Sequence, residues 1–370
     1  MQYKVPFVNY SDHYHSIEKE LDLAIKEVLS HGDLILREQL GKFEENMANF
    51  IGTKHTIGVS SGTDALILSL KAAGIGTGDE LITVAHTFVA TLASIIHCGA
   101  TPVLIDVADD YNMDVNLLES AITPKTRAVI PVHLNGRVCD MPKIMAICKK
   151  HDLIVIEDDA QALGAKVGGK RSGTFGLSAC FSFYPAKMLG SAGDGGLVAT
   201  DSDEIATRVR LLRSHGTDRA TGDILCYGFT NRLDNLQAAI LDVKIKYLNR
   251  WIERRRELAA LYEKGLSALS QIKTPPPPEP DSRYFDVYQN YVIRTAERDK
   301  LVNHLRERGV ETLISWQIPN HKHPALGLNH FNLPKTEAIS REVISLPMYP
   351  ELSNEQVEFV IESVHSFYAT

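Results

Sequence analysis

The chain has 370 residues, with Lys+Arg 39 against Asp+Glu 46 for a net charge of −7, and 44% of it is apolar. That length exceeds one small core, and the composition excludes a disordered, collagenous or membrane-embedded chain. No run approaches the roughly 20 apolar residues of a spanning helix, and the mild acidity excludes a broad nucleic-acid footprint. In chain order, the opening MQYKVPFVNYSDHYH lacks a signal-peptide layout, so a cytoplasmic protein without membrane or nucleic-acid partners is expected. Short apolar runs then recur from about His55 to Thr200: HTIGV, ELITVA, TPVLIDV, RAVIPVH, DLIVIED, ACFSF and GGLVAT. They predict buried strands. Amphipathic stretches fall between them, among them Asp64–Ala73, Thr87–His97 and Asp140–His151. The strand-then-helix alternation predicts an α/β fold, a mostly parallel sheet sandwiched by helices.

From about Asn235 to Leu269 the pattern becomes helical and charged, long enough to bridge a large domain to a smaller one. Arg254–Arg256 within it is expected on a solvated helix face. The proline run Thr274–Asp281 predicts an extended surface connection, because proline fixes φ and has no N–H to donate. Beyond it, YQNYVIR reads as a strand, ERDKLVNHLRERG as a helix ending at Gly309, VETLISW as a strand, and Asn354 to about Phe367 as a last helix. These make a smaller α+β domain. The expected division is 1–245 for the large domain and 246–370 for the smaller one. Five scattered cysteines without CxxC spacing indicate neither a disulfide framework nor a zinc ribbon.

Three segments carry chemistry. Ala179 to Gly196 reads ACFSFYPAKMLGSAGDGG, a buried-strand pattern, then Lys187, then a glycine-rich stretch. A lysine in a partly dry pocket loses its proton readily enough to form a Schiff base, although a lysine in a surface turn would give the same letters. The run DLIVIEDDAQALGA delivers Asp158 to the carboxyl end of a predicted central strand, where open α/β sheets bind ligands. There it can cap the following helix or hold a proton on a basic ring nitrogen. Asp158 and Lys187 lie 187 − 158 = 29 residues apart, about one β-α-β step, so neighbouring strands can bring both to one ligand. The third segment, GVSSGTDALILSL, places Ser61 and Thr63 at a helix start, which suits an anion or an ordinary N-cap. It lacks the GK[ST] of a nucleotide loop, and no GxGxxG opens a helix, so ATP and NAD readings fall away.

Taken in this order, Ser-Gly-Thr-Asp-Ala-Leu, Glu-Asp-x-Ala-Gln-x-x-Gly-Ala and Phe-Ser-Phe-x-Pro-x-Lys with Gly-Asp-Gly-Gly resemble the sugar aminotransferases of the DegT/StrS family. The likeness runs from PFVNY near Phe7 through HTFVAT (His86–Thr91) and RLDNLQAAIL (Arg232–Leu241) to SLPMYPELS near the end. It implies the aspartate-aminotransferase fold, fold type I, with pyridoxal 5'-phosphate as cofactor. By resemblance Lys187 binds that cofactor covalently and shuttles the substrate proton, and Asp158 pairs with the ring nitrogen. Gln161 lies near the phenolic oxygen and Phe88 stacks on the ring. The amides of Gly62 and Thr63, with the hydroxyl of Ser182, hold the phosphate. An asparagine from the partner subunit is expected in a Gly-Phe-Asn-Tyr-Arg-Leu stretch. Here Thr230 occupies that position and Asn231 the next, which leaves both as candidates.

The resemblance further implies an obligate homodimer with shared sites, L-glutamate as donor, and a 3-keto or 4-keto deoxyhexose on a nucleotide as acceptor. Arg37 is a candidate contact to the diphosphate, and His321 or His323 to the sugar nucleotide. Arg213 and His215 fall where the family has a loop near the site. The two histidines offer too few ligands for a metal, and none is expected. Three alternatives stand beside this reading: a dehydratase, against which Lys187 argues, a cyclitol acceptor, and a non-catalytic regulatory protein on the same fold.

Overall fold

The computed structural model describes residues 3–280 and 282–369; Met1, Gln2, Asp281, which ends the proline run, and Thr370 lie outside the described residues. Each apolar run between His55 and Thr200 becomes a strand: β1 (His55–Val59), β2 (Glu80–Val84), β3 (Thr101–Ile105), β4 (Thr126–Val129) and β5 (Ile154–Asp158). Two short pieces follow, β6 (Lys166–Val167) and β7 (Lys170–Arg171), then β8 (Ser178–Ser182) and β9 (Gly196–Thr200). Seven of these form one sheet in the order β1-β9-β8-β5-β4-β2-β3. Within it β9 runs antiparallel to both β1 and β8, and the other pairings are parallel.

The strands read as unbroken apolar runs because both faces are covered. On β5, Val155 belongs to one buried cluster with Phe43 and Leu241, while its neighbour Ile156 belongs to another with Leu68 and Val209. The helix Gly62–Ala72 buries Leu66, Leu68 and Leu70 against the second face. Each such leucine contributes roughly 1.5–3 kcal/mol, which fixes the helix start over the sheet.

In the C-terminal third, β10 (Tyr284–Phe285) pairs with β6, and β11 (Tyr291–Arg294) pairs antiparallel with β12 (Val343–Leu346). The helices Leu248–Leu266, Arg298–Glu307 and Asn354–Tyr368 pack there around Leu258, Tyr262, Tyr291, Leu305 and Val360, joined by Val5 from the other end of the chain.

Three expectations need correction. The long charged helix is two helices, Asn235–Lys244 and Leu248–Leu266, joined by a 3₁₀ turn at Ile245–Tyr247. The arginine cluster does not lie on a solvated face: Arg255 is 5% exposed, and its Nη1 donates to the carbonyls of Tyr288 (3.2 Å), Gln289 (3.2 Å) and Met348 (2.8 Å). Its place follows from helical period, since Leu248, Trp251, Ile252, Leu258 and Tyr262 share the buried face. VETLISW is not a strand. Its pairing is split between isolated bridges, Val310 with Val5 and Leu313 with Ser345, and it ends in a turn at Trp316 with φ 54°.

Candidate active site

The parallel register of β5 and β8 sets Asp158 opposite Cys180, so the chain leaving β8 passes beside the carboxylate. Between them opens a cavity of about 460 Å³ whose lining includes Asp158, Lys187, Ser182, Gly62, Thr63 and Gln161. Six residues that the sequence placed at one ligand are thus brought together, with Phe88 at the rim, 61% exposed.

Asp158 is buried. Its Oδ2 accepts from Thr91 Oγ1 at 2.7 Å, and its Oδ1 accepts from the Ala160 amide at 3.3 Å. Burial raises its pKa, while Thr91, Ala160 and the Lys187 ammonium act in the opposite direction. Thr87 Oγ1 stands 2.8 Å from Thr91 Oγ1; with Thr91's proton committed to the carboxylate, Thr87 is the donor. Lys187 sits on the loop after β8, and burial pushes its pKa down to about 8 against the pull of Asp158. The loop is closed on itself: Ser191 Oγ lies 2.8 Å from Phe183 O, and Lys244 Nζ donates to Gly190 O at 2.6 Å. An amine with that pKa is neutral in a large fraction of molecules at mildly alkaline pH, which is the form that attacks a carbonyl or takes a proton.

The helix Gly62–Ala72 starts at this cavity. Ser61 Oγ accepts from the Asp64 amide at 3.1 Å, whereas the amides of Gly62 and Thr63 precede any intrahelical partner and remain for an anion. Two glycines make the approach possible. A Cβ on Gly62 would lie 2.8 Å from Ser182 Cβ, and one on Gly196 would lie 2.2 Å from Ser61 O. Gln161 Oε1 accepts from the Asn135 amide at 2.8 Å, which leaves Nε2 as the group it offers the cavity.

Other expected residues stand apart. Arg37 is exposed and pairs with Asp33 at 3.6 Å, outside the lining. His321 is fully buried with Nε2 3.3 Å from Glu337 Oε1, and His323 is exposed; the structure brings neither to the cavity of its own chain. Asn231 Nδ2 donates to Asp64 Oδ1 at 2.8 Å, while Thr230 is exposed beside His215. Arg213 is a buried tie, donating to Glu44 Oε1 and Gly58 O. Behind Asp158, the buried trio His133, Glu157 and Asp159 lies close enough to hold a cation, but Glu157 already accepts from the amides of Gly173, Phe175 and Gly176 as well as from His133.

This geometry accompanies a match to the DegT/DnrJ/EryC1/StrS aminotransferase family over residues 15–365. The chain belongs to that family. Among relatives, the "Pleiotropic regulatory protein" of Geobacillus stearothermophilus is 42% identical over 98% of each chain. The dTDP-3-amino-3,4,6-trideoxy-alpha-D-glucose transaminase of Streptomyces venezuelae is 40% identical over 98% of this chain and 96% of the relative. The crystal structure of S. venezuelae DesV in complex with a ketimine intermediate superposes with a TM-score of 0.95 at 39% identity, covering 100% of both chains. The DegT/StrS resemblance read from the motifs is therefore sound, as are the α/β fold and the aminotransferase assignment. Among the described residues, no helix is long and apolar enough to cross a membrane.

The motifs did not single out Thr87, Thr91, His133, Tyr184 or Trp316 as lining residues of this family site. A signal existed for one pair: Thr87 and Thr91 are four apart at a helix start, the spacing that sets two hydroxyls on one side.

Proposed function

We propose that this enzyme moves the amino group of L-glutamate to the keto carbon of a nucleotide-linked deoxyhexose, with pyridoxal 5'-phosphate as carrier. The observation that carries the reading is one cavity holding an amine with its pKa pushed down to about 8, a buried carboxylate and a helix start with free amides. The S. venezuelae relative, named for a 3-amino product, supports the third carbon as the one aminated.

The residues fit the cofactor. The Gly62 and Thr63 amides with Ser182 would hold its phosphate, Asp158 its ring nitrogen, Gln161 Nε2 its phenolic oxygen, Phe88 its face, and Lys187 its aldehyde. Bound there, pyridoxal phosphate supplies a cationic ring that takes up the electron pair left when the donor's α-proton departs. Asp158 keeps that ring's proton in place. Lys187 Nζ, once free, would take the α-proton of the donor and deliver it to the cofactor's former aldehyde carbon, and its low pKa makes the neutral form available for this. Trp316, Phe88 and Tyr184 line the same cavity.

The test is a two-step mixing experiment. Glutamate should bleach the visible band of the loaded enzyme, and a dTDP- or UDP-linked 3-keto hexose should restore it and leave an amino sugar. A band that glutamate does not move would defeat the reading. The name of the Geobacillus relative favours a second, regulatory reading, and the presence of Lys187 and Asp158 in one cavity stands against it. A Gly62→Ala chain is expected to bind pyridoxal phosphate about tenfold more weakly, the loss of one or two hydrogen bonds, because its Cβ would push the helix start off Ser182. Equilibrium dialysis checks this, and unchanged affinity would remove the helix start from the phosphate site.

The same reading includes a homodimer. Ile224, Leu225 and Tyr227 are exposed on the segment leading to Thr230, an apolar surface suited to a second copy. With Asn231 held by Asp64 of its own chain, Thr230 is the residue we assign to the partner's phosphate. The 3₁₀ turn at Ile245–Tyr247 supports the division into 1–245 and 246–370, and five unpaired cysteines, four of them buried, fit a reducing cytoplasm.

A further inference from the structure

Gln289 stands where the C-terminal cluster meets the lysine loop. Its Nε2 donates to Ala186 O at 2.6 Å, one residue before Lys187. The side chain is 6% exposed, and its Oε1 is buried without a protein partner. The amide cannot be turned round, since that would set two carbonyl oxygens 2.6 Å apart.

The backbone aims this side chain. Tyr288, immediately before it, has φ 50°, a left-handed conformation disfavoured for an aromatic residue. Tyr288 OH donates to Pro276 O at 2.8 Å, and the buried Arg255 holds the carbonyls of both Tyr288 and Gln289. Such a conformation persists only where its surroundings over-determine it, and such positions cluster at functional sites.

Gln289 lines a second compartment of about 290 Å³, which shares Lys187 and Gln161 with the first cavity and adds Asn290, Ser315 and Met348. Lys187 is the one ionised group among its described lining residues. Neutral polar walls suit a sugar ring with its hydroxyls.

We propose that Gln289 is a positioning and specificity residue, its Oε1 accepting from a hydroxyl of the acceptor's hexose while its Nε2 holds the loop that carries Lys187. One amide thereby couples acceptor recognition to the placing of the lysine. This rests on the proposed function, so wild-type enzyme is tested first: bleaching by glutamate with no response to any keto-sugar nucleotide would defeat that function rather than this role.

The decisive comparison is Gln289→Leu against wild type in the two half-reactions, each followed as a single turnover of the visible band. The acceptor step, with a dTDP-linked 3-keto-6-deoxyhexose, should slow about tenfold more than the glutamate step, the worth of one hydrogen bond to substrate. A deoxy acceptor lacking the recognised hydroxyl should slow wild type by the same factor and slow the variant no further. Equal slowing of both steps would overturn acceptor recognition, and unchanged rates would overturn the whole role. Gln289→Glu supplies the second variant. Its protonated carboxyl can donate to Ala186 O and still accept from the sugar, so its acceptor rate relative to wild type should recover as pH falls. Absence of that recovery would count against the proposal even if the leucine variant folded poorly.

Discussion

Replacing Lys187 by methionine is expected to abolish the visible band formed with pyridoxal phosphate, to cut turnover by roughly 10⁴-fold, and yet to stabilise the cofactor-free protein. The first two effects follow from removing the nucleophile and the proton carrier together. The third follows from burial, which lowers the amine from the usual 10.5 to about 8. Below pH 8 the folded chain holds a charged amine where charge is disfavoured, while the unfolded chain keeps its proton up to about 10.5. The resulting penalty amounts to at most about 3 kcal/mol, less what Asp158 loses when a neighbouring cation goes. It is full at neutral pH, shrinks as pH rises past 8, and vanishes above 10.5. Denaturant titrations of both apo proteins across that range should therefore converge at alkaline pH. A variant less stable than wild type at pH 7 would show that the lysine is held by favourable contacts instead, and a variant that still colours with cofactor would assign the covalent role elsewhere.

Asp158 and Lys187 were legible in the sequence because each ends or follows an apolar run. A parallel sheet with both faces covered writes its strands as such runs, so the carboxyl ends of β5 and β8 could be found by eye and placed side by side. The helix start at Gly62 was legible for a local reason, the hydroxyl-glycine turn before an amphipathic stretch. Residues whose role depends on distant partners were not. Thr91 meets Asp158 across 67 positions and Gln289 meets Ala186 across 103, and no local period reports such contacts. Arg255 was misjudged because three adjacent charges mask the buried stripe that the middle one occupies. His321 and His323 drew attention as neighbours in sequence, yet one turns inward to Glu337 and the other outward.

Asp158→Asn is expected to slow the glutamate half-reaction by roughly 10²- to 10⁴-fold, in line with the about 3–5 kcal/mol lost when one partner of a buried ion pair is removed. The amide keeps the size of the carboxylate, so β5 and the Thr91 contact should survive. On the proposed function, what disappears is the charge that would hold a proton on the ring nitrogen, and without that proton the ring would not take up the electron pair. Burial alone raises this carboxyl, and it is Thr91, the Ala160 amide and Lys187 that favour its ionised form. Thr91→Val, which removes the 2.7 Å hydrogen bond at nearly constant volume, should therefore produce a milder version of the same defect, about tenfold. The band of the loaded variant should also titrate differently from wild type, because the ring nitrogen would lose its proton at lower pH. Pre-steady-state mixing with glutamate supplies the rates. A rate for Asp158→Asn within tenfold of wild type would place the counter-charge for the ring somewhere other than the end of β5.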